Sequence, residues 1–140
     1  MMKQLTVVVE NRPGALADVA EALGRSGVNI LSISAQAFEN RGVFRILTTD
    51  VNTAVNELNR AGMNSVVSDI IVMKLLDKPG ELYKVTKKLS QRGINLRSVY
   101  IIGKENDKTV VAIDPEDYKA IFDDGSEMQF ANQKFLDTPC

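Results

Sequence analysis

The chain has 140 residues, of which 44% are hydrophobic and 25% charged, with nine Gly and four Pro, a composition of globular domains that excludes fibrous and disordered classes. Lys and Arg total 17 against 18 Asp and Glu, so the net charge is −1 and no basic excess is available to attract a phosphate backbone. Histidine is absent, which removes the commonest general base, the commonest metal ligand and every Ser-His or Cys-His nucleophile pair.

In chain order, residues 3 to 10 alternate in a β-rich run with Leu5, Val7 and Val9 on one face, which predicts a strand. Pro13 stops it and suits the first position of a helix, where its missing N–H has no consequence. Leu16, Val19, Ala20 and Leu23 then recur at helical spacing, and Gly27 can end the helix. Val28 to Phe38 and Val43 to Thr49 read as strands of a hairpin turning at Glu39 to Gly42. Asp50 is placed to cap a second helix striped by Val51, Ala54, Val55, Leu58 and Ala61, closed at Gly62 and followed by a short strand at Ser65 to Ser68.

The pattern then begins again. Asn11–Ser34 aligned without gaps on Asp77–Tyr100, 66 positions later, matches at Pro, Gly, Leu, Val, Leu, Gly, Asn and Ser, and other apolar sites stay apolar. Such self-similarity is the mark of a duplicated unit. In the second copy Ile70 to Leu76 is the expected first strand, and Leu82, Val85, Thr86 and Leu89 stripe the helix. Ile94 to Ile102 and Thr109 to Ile113 form the hairpin, and Asp114-Pro115 starts a helix carrying Tyr118, Ile121 and Phe122. A last strand is expected near Glu127 to Phe130, followed by an irregular tail. The order within each copy is strand, helix, strand, strand, helix, strand. The expected class is therefore α+β, with two ferredoxin-like βαββαβ units, each a four-stranded antiparallel sheet with helices on one face, pairing with each other. The expected domains are residues 1–68 and 69–125, with 126–140 as last strand and tail. A unit of about 65 residues is marginal alone, so pairing of copies or chains is the physical expectation.

Other features narrow the function. The longest apolar runs, such as Leu5 to Val9, fall far short of the roughly 18 residues that cross a bilayer, and Met1 to Gln4 lacks a secretory apolar core, so a cytoplasmic location without membrane attachment is expected. The single Cys140 makes neither a disulfide framework nor a metal cluster. Gly103-Lys104 lacks the upstream glycine and following hydroxyl of a phosphate loop. No metal, cofactor or catalytic residue is expected.

The repeated turns NRPGAL and DKPGEL stand before helix starts, where unpartnered N–H groups and aligned peptide dipoles favour a carboxylate. Gly14 leaves the backbone bare, and Asn11 offers an amide donor and acceptor, so the pair could answer both groups of an α-amino acid. Turn chemistry alone accounts equally for Asn11 and Asp77, as strand capping does for Asn29 and Asn95.

The strand followed by Asn-Arg-Pro-Gly-Ala-Leu, an amphipathic helix and Gly-Val-Asn-Ile resembles the ACT domain, a βαββαβ regulatory module that binds amino acids. The first copy is similar to the regulatory domain of serine-inhibited phosphoglycerate dehydrogenase, and the chain resembles a stand-alone tandem pair. The resemblance implies a non-enzymatic regulator binding an amino acid between the loop of one domain and the second-strand entrance of its neighbour. Carried over by position, the binding residues are Asn11, Gly14, Ala15 and Leu16 with Asn29 and Ile30, and in the second copy Asp77, Gly80, Glu81 and Leu82 with Asn95 and Leu96. It further implies a homodimer and a partner enzyme or regulator; nucleic acid is not expected because the charge is balanced, and membrane is not expected because the apolar runs are short. Val9 stands where some serine-binding relatives place a histidine, which departs from a serine site.

Asp77 and Glu81 replace Asn11 and Ala15, and each would repel a carboxylate about 4 Å away by roughly 1 to 4 kcal/mol, which points to the first copy as the carboxylate site. Two other readings stay open: a structural or protein-interaction module without ligand, and a small acyl-phosphate hydrolase on the same scaffold using Arg12 or Arg25. An RNA-binding sheet would need aromatics within a basic patch, which Phe38, Phe44 and Tyr100 lack.

Overall fold

The computed structural model describes residues 2–118. The chain divides into two compact units, one formed by Lys3–Ser68 and the other running from Asp69 onward.

In the first unit the order is β1 (Met2–Glu10), α1 (Ala15–Arg25), β2 (Ile30–Phe38), β3 (Arg41–Thr48) and α2 (Val51–Arg60), ending in the start of β4 (Ser65–Leu76). β3 lies between β1 and β2 and is antiparallel to both, with Leu5 opposite Ile46 and Ile33 opposite Ile46 on the other side. Alternation sends Leu5 and Val7 of β1 and Phe44 and Ile46 of β3 to one face, where they bury against Val19 and Leu23 of α1 and Ala54 and Leu58 of α2. Each large aliphatic group withdrawn there contributes roughly 1.5 to 3 kcal/mol of transfer free energy before entropy is charged against it. α2 starts as its sequence predicts: the Asp50 side chain accepts from the Thr53 N–H at 3.1 Å.

The second unit continues β4 and adds α3 (Glu81–Gln91), β5 (Leu96–Glu105) and β6 (Lys108–Pro115), with β6 between β4 and β5. Its core reproduces the first position by position: Ile71, Met73 and Leu75 for β1, Val85 and Leu89 for α1, Val111 and Ile113 for β3. Tyr118 packs against the same cluster.

Several expectations need correction. Ser65 to Ser68 and Ile70 to Leu76 belong to one continuous strand, because no turn residue separates them and Asp69 sits in extended backbone. α1 begins at Ala15 rather than Pro13, which lies in the preceding turn. The buried stripe moves with it: Ala15, Val19 and Leu23 face inward, while Leu16 and Ala20 are exposed. In α3 likewise Val85 and Leu89 are buried and Leu82 is exposed. The Thr86 hydroxyl donates to the carbonyl of Leu82 at 2.9 Å.

Asp114 and Pro115 end β6 instead of starting a helix. The reason is a change in the repeat. The spacing is 66 from Leu5 and Ile71 to Leu31 and Arg97, the residues skipped in a bulge that both second strands share. β5 skips a further residue, Ile102, between Ile101 and Gly103. Beyond it, equivalent residues lie 67 apart, as with the left-handed hairpin residues Glu39 and Asn106. Asp50 therefore corresponds to Asp117 rather than Asp114. The expected stripe residues Ile121 and Phe122 and the expected strand near Glu127 to Phe130 lie outside the described residues.

Candidate functional site

The loop before each first helix is built the same way. Gly14 holds φ 88° and ψ −5°, and Gly80 holds φ 89° and ψ −9°, a left-handed conformation in which an L side chain is strained. Neither helix has a side-chain cap at this end. The Ala15 N–H turns back to the Arg12 carbonyl at 3.2 Å, and the Asp18 N–H reaches the Gly14 carbonyl at 3.0 Å.

Asn11 and Asp77 fasten these loops to the tip of the neighbouring hairpin. The Asn11 backbone N–H donates to the Asn40 carbonyl at 2.9 Å, and its side-chain amide donates to the Glu39 carbonyl at 3.1 Å. At the equivalent place the Asp77 N–H donates to the Asp107 carbonyl at 2.8 Å, and its carboxylate accepts from Lys104 Nζ at 2.9 Å. That lysine holds the Asp77 carboxyl below the usual range, helped by Thr109. The Glu81 carboxyl is lowered too, chiefly by its hydrogen bond from Lys84, with Lys78 adding charge. Both negative charges of the second loop therefore have lysine partners, which offsets much of the repulsion expected from sequence. The amide of Asn11 in the first loop has been exchanged for an ion pair in the second.

Asn29 and Asn95 lie at the other end of their sheets. Ile30 is opposite Thr48, the Asn29 N–H donates to the Thr49 hydroxyl at 3.2 Å, and the Thr49 N–H donates to the Asn29 carbonyl. In the second copy the Asn95 side chain donates to Glu116 at 3.1 Å and its carbonyl accepts from the Glu116 N–H at 2.9 Å. Since Asn11 sits beside the hairpin tip and Asn29 precedes the nine-residue strand leading to that tip, about 30 Å separates them at roughly 3.3 Å per residue. Within one domain, then, Asn11, Gly14, Ala15 and Leu16 cluster at one end and Asn29 and Ile30 at the other. Asp77, Gly80 and Leu82 are similarly divided from Asn95.

A scan against family models matches residues 1–122 to the ACT domain pair. The chain belongs to this family. The tandem ACT protein is also similar to solved structures: a crystal structure of protein BT0572 from Bacteroides thetaiotaomicron, at 26% identity, covers 86% of this chain and 83% of that one with a TM-score of 0.75. The ligand-free regulatory subunit of aspartate kinase from Thermus thermophilus, at 17% identity, shares the fold over 80% of this chain and 82% of its own with a TM-score of 0.61. The corresponding Thermus flavus subunit matches at 17% identity over 84% and 86%, with a TM-score of 0.60. No curated protein matches.

The ACT pair also carries a feature that sequence reading missed. In the first domain a cleft of about 530 Å³ opens between the end of β1, one face of α1 and the turn joining α2 to β4. Val9, Ala15, Ala22 and Met63 supply apolar lining. Its charged lining consists of Glu10, Arg12, Asp18, Glu21 and Arg25. Arg12 pairs with Asp18 and Arg25 with Glu21. The Arg12 guanidinium is held above its usual range, first by the Asp18 hydrogen bond. Small residues at positions 15, 22, 61 and 62 were the available signal, visible only once α1 and the 61–64 turn are brought together. Among the described residues no group of three potential metal ligands forms, and no helix is long and apolar enough to cross a membrane.

Proposed function

We propose that this ACT pair is a non-enzymatic regulatory protein of the cytoplasm that binds an amino acid between two ACT domains and transmits the bound state to a partner enzyme or regulator. The observation that carries this reading is the placement of the candidate residues. The glycine loop with Asn11 and the strand entrance with Asn29 occupy opposite ends of a domain, so only two domains can bring such ends together around one ligand. The likeness to regulatory subunits of aspartate kinase supports a role as a regulator without its own active site.

In this reading Asn11, Gly14, Ala15 and Leu16 receive the α-carboxylate and Asn29 and Ile30 of the facing domain complete the pocket, in a homodimer or higher assembly. The second loop, with Asp77, Gly80 and Leu82, is the weaker place for a carboxylate, because a carboxylate already paired to Lys104 offers no donor in place of the Asn11 amide, and Asn95 stands at the far end of that domain. The ligand acts by stabilising one arrangement of domains over another.

A thermal-shift screen against the twenty amino acids tests the proposal, with saturation at 100 times Kd expected to add about 2.7 kcal/mol. Calorimetry should then find Asn11→Ala far more damaging than Asp77→Ala, and equal losses would defeat the assignment. A second reading, a protein-interaction module without ligand, is favoured by the engagement of the Asn11 amide with the Glu39 carbonyl, and an absence of any shift would support it.

A further inference from the structure

We infer that the sheet face of the first domain turned away from its helices docks an acidic segment of a partner protein, with Arg45 receiving a carboxylate. The inference rests on the partner that both readings above require, and it uses no residue of the amino-acid site.

Both helices of this domain pack on the face formed by Leu5, Val7, Phe44 and Ile46. Alternation sends the residues between them to the opposite face, where antiparallel pairing sets Arg45 directly between Ser34 of β2 and Thr6 of β1. This row stands at a boundary: Gln4 and Leu47 on one side of it are fully buried, while Val8 and Phe38 on the other are 44% and 68% exposed. Arg45 itself is half-buried. Among the described residues its guanidinium has no hydrogen bond or ion pair, and the side chains around it on the face are uncharged. Glu10, further along the same face, is already engaged, since it lies opposite Arg41 and its charge acts on Arg12. The Ser34 hydroxyl is likewise without a partner, and Thr6 accepts from the Gln4 amide at 3.5 Å, which leaves its own proton to donate. One guanidinium and two hydroxyls in a single row thus offer donors to one oxyanion. Partial burial of Arg45 carries a desolvation cost that no group of the chain offsets, whereas a carboxylate from outside would offset it through charge-assisted bonds.

The surroundings favour a protein segment over a free anion. The face is a sheet surface rather than a cavity, and beside the donor row it presents Val43, Val8 and Phe38. An extended segment with an acidic and an apolar side chain two residues apart would match Arg45 and Val43, which follow one another at the same period. A single guanidinium without other cations around it does not make the basic stripe that a nucleic acid needs. The second domain lacks the row altogether. Val72, Tyr100 and Ala112 stand where Thr6, Ser34 and Arg45 do, and Lys74, at the position of Val8, is paired with Glu105 at 2.8 Å. The docking face therefore belongs to the first copy and is not a consequence of the shared fold.

The test is an amide NMR titration of the full chain with the capped peptide Glu-Ser-Leu-Ser and with versions carrying glutamine or lysine in place of glutamate. Shifts centred on residues 6, 34, 43 and 45 are expected, with the glutamine version bound about tenfold more weakly, or about 1.4 kcal/mol. Arg45→Gln should erase the preference for glutamate while the spectrum stays folded, whereas Arg41→Gln, on the same face but opposite Glu10, should keep it. Equal affinity for the glutamate and glutamine peptides, an undiminished preference in Arg45→Gln, an equal loss in Arg41→Gln, or shifts centred on the lysines of α3 would each overturn the inference. So would a stronger response of the same amides to an oligothymidylate or to phosphatidylserine vesicles, which would assign the face to nucleic acid or membrane. Peptide binding without a response to any amino acid would uphold the docking face and remove the effector, and the reverse pattern would do the opposite.

Discussion

Gly14 and Gly80 hold their loops through backbone conformation alone. A methyl group added at Gly14 would lie 3.5 Å from the Arg12 guanidinium, an ordinary contact, and one at Gly80 would meet nothing within 4 Å. The cost of Gly14→Ala or Gly80→Ala is therefore conformational, about 1 to 2 kcal/mol each, and urea unfolding should return similar values for both. Asp77 illustrates what sequence could not disclose: it reads as a bare negative charge, yet it is paired with Lys104, 27 residues further on across the hairpin. Because its folded pKa is depressed relative to the unfolded chain, its contribution is full above the ordinary carboxylate range and is lost as pH falls through the folded value. Lys104→Gln should move the Asp77 carboxyl back up toward its ordinary range, as read by carbon NMR titration. An unmoved titration would mean the pair does not persist in solution.

Among the elements, most strands and the α2 start were legible because alternation and the Asp50 cap are local signals, whereas the unbroken run of Ser65–Leu76 and the end of β6 at Pro115 were not. Helix phase was harder, since Leu16 and Leu82 fit an apolar stripe as well as Ala15 does and only packing decides between them. The structure buries Leu23 and Leu89 almost completely and leaves Leu16 and Leu82 about half exposed. Truncating Leu23 or Leu89 to Ala should cost about 2 to 5 kcal/mol, whereas Leu16→Ala and Leu82→Ala should stay within about 0.5 kcal/mol in the same denaturation assay. Those exposed leucines flank the glycine loops, where an apolar contact to a ligand or another domain would be used. Asp50→Ala should lower the thermal midpoint of the first domain by releasing the Thr53 N–H, and a larger loss at low pH than at neutral pH would contradict the cap.

For the whole molecule, duplication was readable from two short turns, but the separation of Asn11 from Asn29 was not, because it depends on which sheet end each loop occupies. If the amino acid bridges two chains, mixing Asn11→Ala with Asn29→Ala chains should recover part of the binding lost by each alone. No recovery on mixing would place both halves of the site in one chain. The additional bulge at Ile102 carries a different consequence. Chimeras that exchange segments between the two domains will keep their pattern of inward and outward residues only when both junctions fall on the same side of Ile102, matched at 66 before it and 67 beyond it, or when the graft is adjusted by one residue. A hybrid cut by constant spacing would turn Val111 and Ile113 away from the core and bring Asp114 into it, so this one residue makes the two halves non-interchangeable modules.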